Sequence, residues 1–167
     1  MAKWGSADYE QLKYLQERLQ KLGQVDLDKF CTDVSKELAA RLLSLVIPRT
    51  PVGQYPTEAG KKGGTLRRGW TGGKKSGAAS YAQSLPVSKS GGTYTIEVIN
   101  PVEYASYVEF GHRQEPGRFV PAIGKRLKVG WVNGQYFLTL SEDELERLAP
   151  SVIECKLNKL LREVFNG

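Results

Sequence analysis

The chain has 167 residues, of which 40% are hydrophobic and 25% charged, with a formal net charge of +6. These are values of one globular domain, so a single folded domain over residues 1–167 is expected. No apolar run approaches the roughly 20 residues that span a bilayer, and the N-terminus lacks the apolar core of a signal peptide, so the expectation is a cytosolic setting with no membrane partner.

Residues 8–47 read as a helical N-terminal part. From Tyr9 to Leu22 the apolar positions Leu12, Leu15, Leu19 and Leu22 recur every three or four residues, and Gly23 supplies a stop. A second helix is predicted from Leu27 to Val46, with Asp26 as its N-cap and Leu27, Phe30, Val34, Leu38, Leu42 and Leu45 on one face. Pro48 and Pro51 should end it. Cys31 and Cys155 each fall in a helical pattern, which suits two buried, reduced thiols better than a disulfide or a metal site.

Residues 49–80 form a basic, glycine-rich loop. Arg49, Lys61, Lys62, Arg67, Arg68, Lys74 and Lys75 stand against the single acid Glu58, so this stretch carries the whole net charge and the remainder is neutral. A short ordered piece is expected at Thr65 to Thr71. The cations, with Tyr55, Trp70 and Tyr81 nearby, suit phosphates and stacked bases, or an acidic protein partner, or solvent.

Residues 81–167 read as sheet, short helix and C-terminal helix. Tyr81 to Val87 and Thr93 to Ile99 flank Ser90-Gly91-Gly92 as a β-hairpin, and Tyr94, Ile96 and Val98 alternate with Thr95 and Glu97, predicting one buried face. Asn100, Pro101 and Glu103 have the spacing of a capped helix start, with Gly111 as a left-handed stop. Residues 113–121 form a loop. A second hairpin is predicted from Arg126 to Val132 and Gln135 to Leu140, joined by Asn133-Gly134. Ser141 and Glu144 resemble a capping box opening a helix that Pro150 kinks or restarts, and Val152, Ile153, Leu157, Leu160, Leu161 and Val164 form the last apolar stripe. The fold class is therefore α+β, an antiparallel sheet built from hairpins and packed by long N-terminal helices, a short middle helix and a C-terminal helix.

No catalytic set emerges, and no enzyme activity or cofactor is expected. The lone histidine, His112, lies far in sequence from both cysteines. Glu109 and His112, three apart, could be an acid-base pair or a ligand fragment, but a polar helix end at an interface explains them as well. Glu142, Asp143 and Glu144 suit the first turn of a helix through its dipole. The run Gly60 to Thr65 lacks the spacing of a phosphate-binding loop.

Two stretches carry a resemblance: Thr50-Pro51-Val52 with Gly64-Thr65-Leu66-Arg67-Arg68-Gly69-Trp70, and Glu103-Tyr104-Ala105-Ser106-Tyr107-Val108-Glu109-Phe110-Gly111-His112-Arg113. Together they resemble the neck or minor tail (tail-completion) protein family of long-tailed bacteriophages, typified by minor tail protein Z of phage lambda. In that family Thr-Pro-Val is usually followed closely by Thr-Gly and the Leu-Arg segment, whereas here Gly53 to Gly63 is interposed. The hairpin around Trp131 to Leu138 looks like the version in contractile-tailed phages and defective prophages. The resemblance implies a strand at Leu-Arg-Arg-x-Trp and a structural virion protein at the head-tail junction, made in the bacterial host cytoplasm, that forms a hexameric ring. Its implied partners are neighbouring neck, connector, tail terminator or tail tube proteins, with transient contact to genomic DNA; a tail terminator is the nearest alternative, and a double-stranded DNA-binding module the alternative of another class. Candidate interface residues are Trp70, Tyr104, Tyr107, Glu109, Phe110, His112 and Arg113. Candidate partner or DNA contacts are Lys61, Lys62, Arg67, Arg68, Lys74 and Lys75.

Overall fold

A computed structural model describes residues 9–23, 25–55, 60, 62–74, 77–121 and 124–166. Helix α1 (Tyr9–Gly23) falls on the span expected, helix α2 (Leu27–Arg49) starts where expected but runs past Val46, and the Asp26 carboxylate caps α2 by accepting the Lys29 N–H at 2.9 Å. The buried positions of α2 are Val34, Ala39, Leu43 and Val46, whereas Leu27 is exposed and Leu38, Leu42 and Leu45 are only half-buried. The buried stripe is displaced because α2 is covered by two elements, helix α4 (Ala78–Ser84) and helix α6 (Phe137–Asn166), so that the line between them is the driest. Pro48 does not end α2 but sits inside its last turn; the terminator is Pro51, which holds Thr50 extended at ψ 123°.

Two segments read as strands are helical. Leu66, Gly69 and Trp70 are buried at helical spacing in helix α3 (Thr65–Gly69), where the resemblance implied a strand. Ala78, Tyr81 and Ala82 likewise put one face of α4 on the core, so the first hairpin strand begins only at Val87. The hairpin itself forms as read, with strands β1 (Val87–Ser90) and β2 (Thr93–Ile96) joined by Gly91-Gly92, both at positive φ, as a tight right-twisting turn needs. Tyr94, Ile96 and Val98 are half-buried and Thr95 and Glu97 exposed, as the alternation predicts.

Helix α5 (Ala105–Phe110) starts later than the capping signal suggested. Asn100 spends its side chain elsewhere: Oδ1 accepts from Val102 N at 3.2 Å and Nδ2 donates to Leu66 O at 2.8 Å, tying this turn to α3. Gly111 has φ 86° and ψ 172°, which turns the chain directly into strand β3 (Gly111–Arg113), not the left-handed helical stop expected. A Cβ there would lie 2.4 Å from Val132 O.

The second hairpin is differently paired. β3 is bonded to β6 (Trp131–Asn133), with His112 opposite Val132, and farther out β4 (Phe119–Val120) pairs with β5 (Lys125–Arg126). Backbone bonds from Gln114 to Gly130 and between Gly117, Arg118 and Leu127 join the two rungs, so residues 111–121 and 124–133 form one interrupted antiparallel arm. The Gln135–Leu140 strand is absent because α6 already begins at Phe137. Ser141 is therefore inside the helix, fully buried, donating to Phe137 O and accepting from Arg49 Nη1, while Glu144 is paired with Arg49. α6 continues past Pro150. Its second half keeps an outer face, where Cys155 is exposed, contrary to the buried thiol expected; Cys31 is half-buried and both are free.

The α+β class stands, with three two-stranded antiparallel sheets among the described residues in place of one. The core joins Ala39, Leu43 and Val46 of α2 to Leu66, Trp70, Ala82 and Phe137. Among the described residues no helix is long and apolar enough to cross a membrane.

The first hairpin is clasped to the start of α2 through Asp28, whose carboxylate accepts from Lys89 Nζ at 2.6 Å and from the Tyr94 hydroxyl. The Lys89 bond, then the Tyr94 bond, holds the Asp28 carboxyl below its ordinary pKa; the bond to Asp28 raises both Lys89 and Tyr94. A lowered acid contributes stability above its unfolded pKa and loses it as pH falls through the folded one; the raised Lys89 and Tyr94 lose theirs as pH rises through their folded values. The clasp should hold between those limits. Carboxylate NMR should place the Asp28 midpoint below 3.8, and Lys89→Met should move it upward.

Candidate functional site

The first half of the shared motif closes on itself. Trp70 is 2% exposed, and its indole Nε1 donates at 2.7 Å to the hydroxyl of fully buried Thr50, which in turn donates to Val46 O. Arg67 completes the joint: Nε donates to Thr50 O at 3.0 Å, and Nη2 to Thr50 O at 2.7 Å and Pro48 O at 3.1 Å. A guanidinium is thus set on the last carbonyls of α2, where unpaired C=O groups and the helix dipole favour a cation. Gly69 allows Asn100 to reach α3, since a Cβ there would lie 2.2 Å from Asn100 Oδ1.

The second half is anchored from inside. Glu109 is 3% exposed; its carboxylate accepts the N–H groups of Leu138 and Thr139, each at 2.9 Å, and the Thr139 hydroxyl at 2.7 Å. These are orphan donors of the first turn of α6, so a residue some thirty positions upstream caps this helix. Trp70 and Phe137 meet edge to face at 6.2 Å, which links the two motif halves through the core. Trp70 and Glu109 therefore present no surface to a partner. No local signal revealed the Glu109 cap, because the competing Ser141 and Glu144 pattern looks like one.

What faces outward is the remaining side of α5 and the start of the arm. Tyr104, Tyr107 and Phe110 are 43%, 58% and 60% exposed. His112 lies edge-on to Tyr107 at 5.9 Å, with Nδ1 3.4 Å from Tyr107 O and Nε2 3.1 Å from Gln114 Nε2; its ring is not a partner of Glu109. Arg113 is exposed. Beside Phe110 a hollow of ≈ 290 Å³ is lined by Val98, Ile99, Ala105 and Leu138, and Ile99 is itself exposed.

The basic segment is less free than its charge suggests. Arg49 is committed to Ser141 and Glu144, Arg67 to α2, and Arg68 donates to Gly63 O and Thr65 Oγ1. Lys62 and Lys74 are exposed; Lys61 and Lys75 lie outside the described residues. Two consequences can be measured by denaturant unfolding. Glu109→Gln should cost about 1–3 kcal/mol, because an amide cannot accept all three bonds. Arg67→Met should be destabilising by a similar amount, whereas Lys62→Gln and Lys74→Gln should each stay within about 0.5 kcal/mol of the parent.

Comparison with known proteins agrees with the direction of the motif. The model of the HK97-gp10-like family, described as "Bacteriophage HK97-gp10, putative tail-component", matches residues 13–111, more than half of the chain. No curated protein and no solved structure matches. The matched span begins inside α1, holds α2, the Thr50, Arg67 and Trp70 joint and the whole of α5, and ends at Gly111, where the arm departs. The chain belongs to the HK97-gp10-like family of bacteriophage tail components.

Proposed function

We propose that this protein is a neck or tail-completion component of the virion, forming a ring at the head-tail junction of a phage or prophage tail of the contractile type. The observation that carries this reading is the outward row formed by Tyr104, at the N-cap, with Tyr107 and Phe110 on the six-residue helix whose buried side is fixed by Glu109. Aromatic side chains exposed together on a rigid support are costly to leave in water and suit a protein neighbour. A ring needs such a heterologous contact repeated about an axis. His112 and Arg113 adjoin that row and complete its polar edge. The activity is then assembly, through affinity and geometry, with no chemical turnover; assembly in the host cytoplasm precedes incorporation into the particle.

A tail terminator capping the tube would use the same surface. The DNA-binding reading is weakened because three of the seven cations in the basic segment are engaged in the fold.

Imaging of the intact particle, with mass spectrometry of its proteins, should find this chain as a ring between head and tail tube; its absence from purified particles contradicts the proposal. If the basic segment gripped duplex DNA instead, replacing Lys61, Lys62, Lys74 and Lys75 with Gln would flatten the slope of log affinity against log salt by about 3–4.

A further inference from the structure

The arm of residues 111–121 and 124–133 is the part of the molecule that its own fold does not explain. Its outer strands β4 and β5 make no extensive contact with any other described element, and β6 packs chiefly on β3. An isolated two-stranded ribbon is marginally stable in water. The arm also carries Arg113, Arg118, Lys125, Arg126 and Lys128 against the single acid Glu115. Among the described residues its only ion pair is internal, Arg118 to Glu115 at 3.9 Å. Phe119 and Trp131 are 51% and 52% exposed on it, and a hollow of ≈ 790 Å³ runs along the side lined by Arg113, Arg118, Phe119 and Leu127.

The complementary surface lies on the same chain. The first turns of α6 hold Glu142, Asp143, Glu144 and Glu146 with one cation, Arg147. Glu144 is paired with Arg49, but no ion pair engages Glu142, Asp143 or Glu146 among the described residues, and all three are exposed. Leu140 stands beside them, 52% exposed. A basic ribbon bearing aromatic side chains thus matches an acidic helix face bearing an exposed leucine, in charge and in apolar content alike. Phosphates would satisfy the cations but leave Phe119 and Trp131 uncovered, whereas a helix of a second copy meets both needs.

We infer that the arm of one copy grips the acidic first turns of α6 on the next copy. The two surfaces differ, so the contact is heterologous and each copy both gives and receives one arm. It provides the ring proposed above with a specific contact, and in that respect rests on that reading. Sign complementarity makes the association weaken as salt is raised.

The test uses the full chain and sedimentation analysis at low and high salt, with circular dichroism to establish that each variant is folded. The parent should associate at low salt and lose that association at least tenfold at high salt. Lys125→Glu with Lys128→Glu, and separately Asp143→Lys with Glu146→Lys, should each weaken association at least tenfold. Mixed in equal amounts, these two variants should associate again, because the intact arm of one meets the intact receiving face of the other and the reversed arm meets the reversed face. The chain bearing all four changes should associate again. A parent that stays monomeric, or charge variants that associate like it, overturns the arm contact. So does an arm variant whose association is intact but whose retention on duplex DNA is lost, which would assign the arm to nucleic acid. Intact rings of all variants would sink this contact and leave the ring reading, whereas open chains sensitive to both reversals would sink ring closure and leave the contact.

Discussion

Thr50 occupies the point where the chain must leave a long helix, turn through a proline and return to the same core. Its hydroxyl lies between the Val46 carbonyl and the Trp70 indole, and its own carbonyl receives Arg67. All of this is buried or nearly so, where an unpaired polar group costs about 1–3 kcal/mol and a paired one defines a single geometry. With Trp70 held there, its ring edge meets Phe137 and thereby sets the first turn of α6; that turn in turn needs Glu109, which fixes α5. The two motif halves, α2 and α6 are one connected construction, and the surface row on α5 takes its orientation from it.

The motif is therefore chiefly a description of how the chain closes, and only secondarily of what it touches. This explains why Trp70 and Glu109 drop out of the candidate interface while Tyr104, Tyr107, Phe110 and Arg113 stay at the surface.

Legibility in the sequence followed the range of the forces involved. Local signals held: the Asp26 cap, the start of α2 at Leu27 and the turn at Gly91-Gly92 depend on neighbours within a few residues. Failures came where a distant partner outcompeted a local pattern. Asn100 was drawn to Leu66 and away from the helix after it; Glu109 opened α6 four residues before Ser141; Val132 paired with His112 and not across Asn133-Gly134. The Tyr81 segment shows the remaining difficulty, since a short apolar run carries no period long enough to separate strand from helix, and packing of Ala82 on α2 decided it. Of the site, the exposed aromatics of α5 were legible, whereas the arm was not, because Asn133-Gly134 offered a tighter local turn than the pairing of β6 with β3 that forms.

The claim that Thr50 and Trp70 form the joint of the fold is open to one direct measurement, a double-mutant cycle in denaturant unfolding with Thr50→Val and Trp70→Phe, which remove the hydroxyl and the indole N–H and keep an apolar side chain at each site; the loss from the smaller ring enters both arms of the cycle and cancels. A buried hydrogen bond between them predicts that the double variant loses at least about 1 kcal/mol less than the sum of the single changes, since either change alone already breaks the bond. Additivity to within about 0.3 kcal/mol would contradict the account.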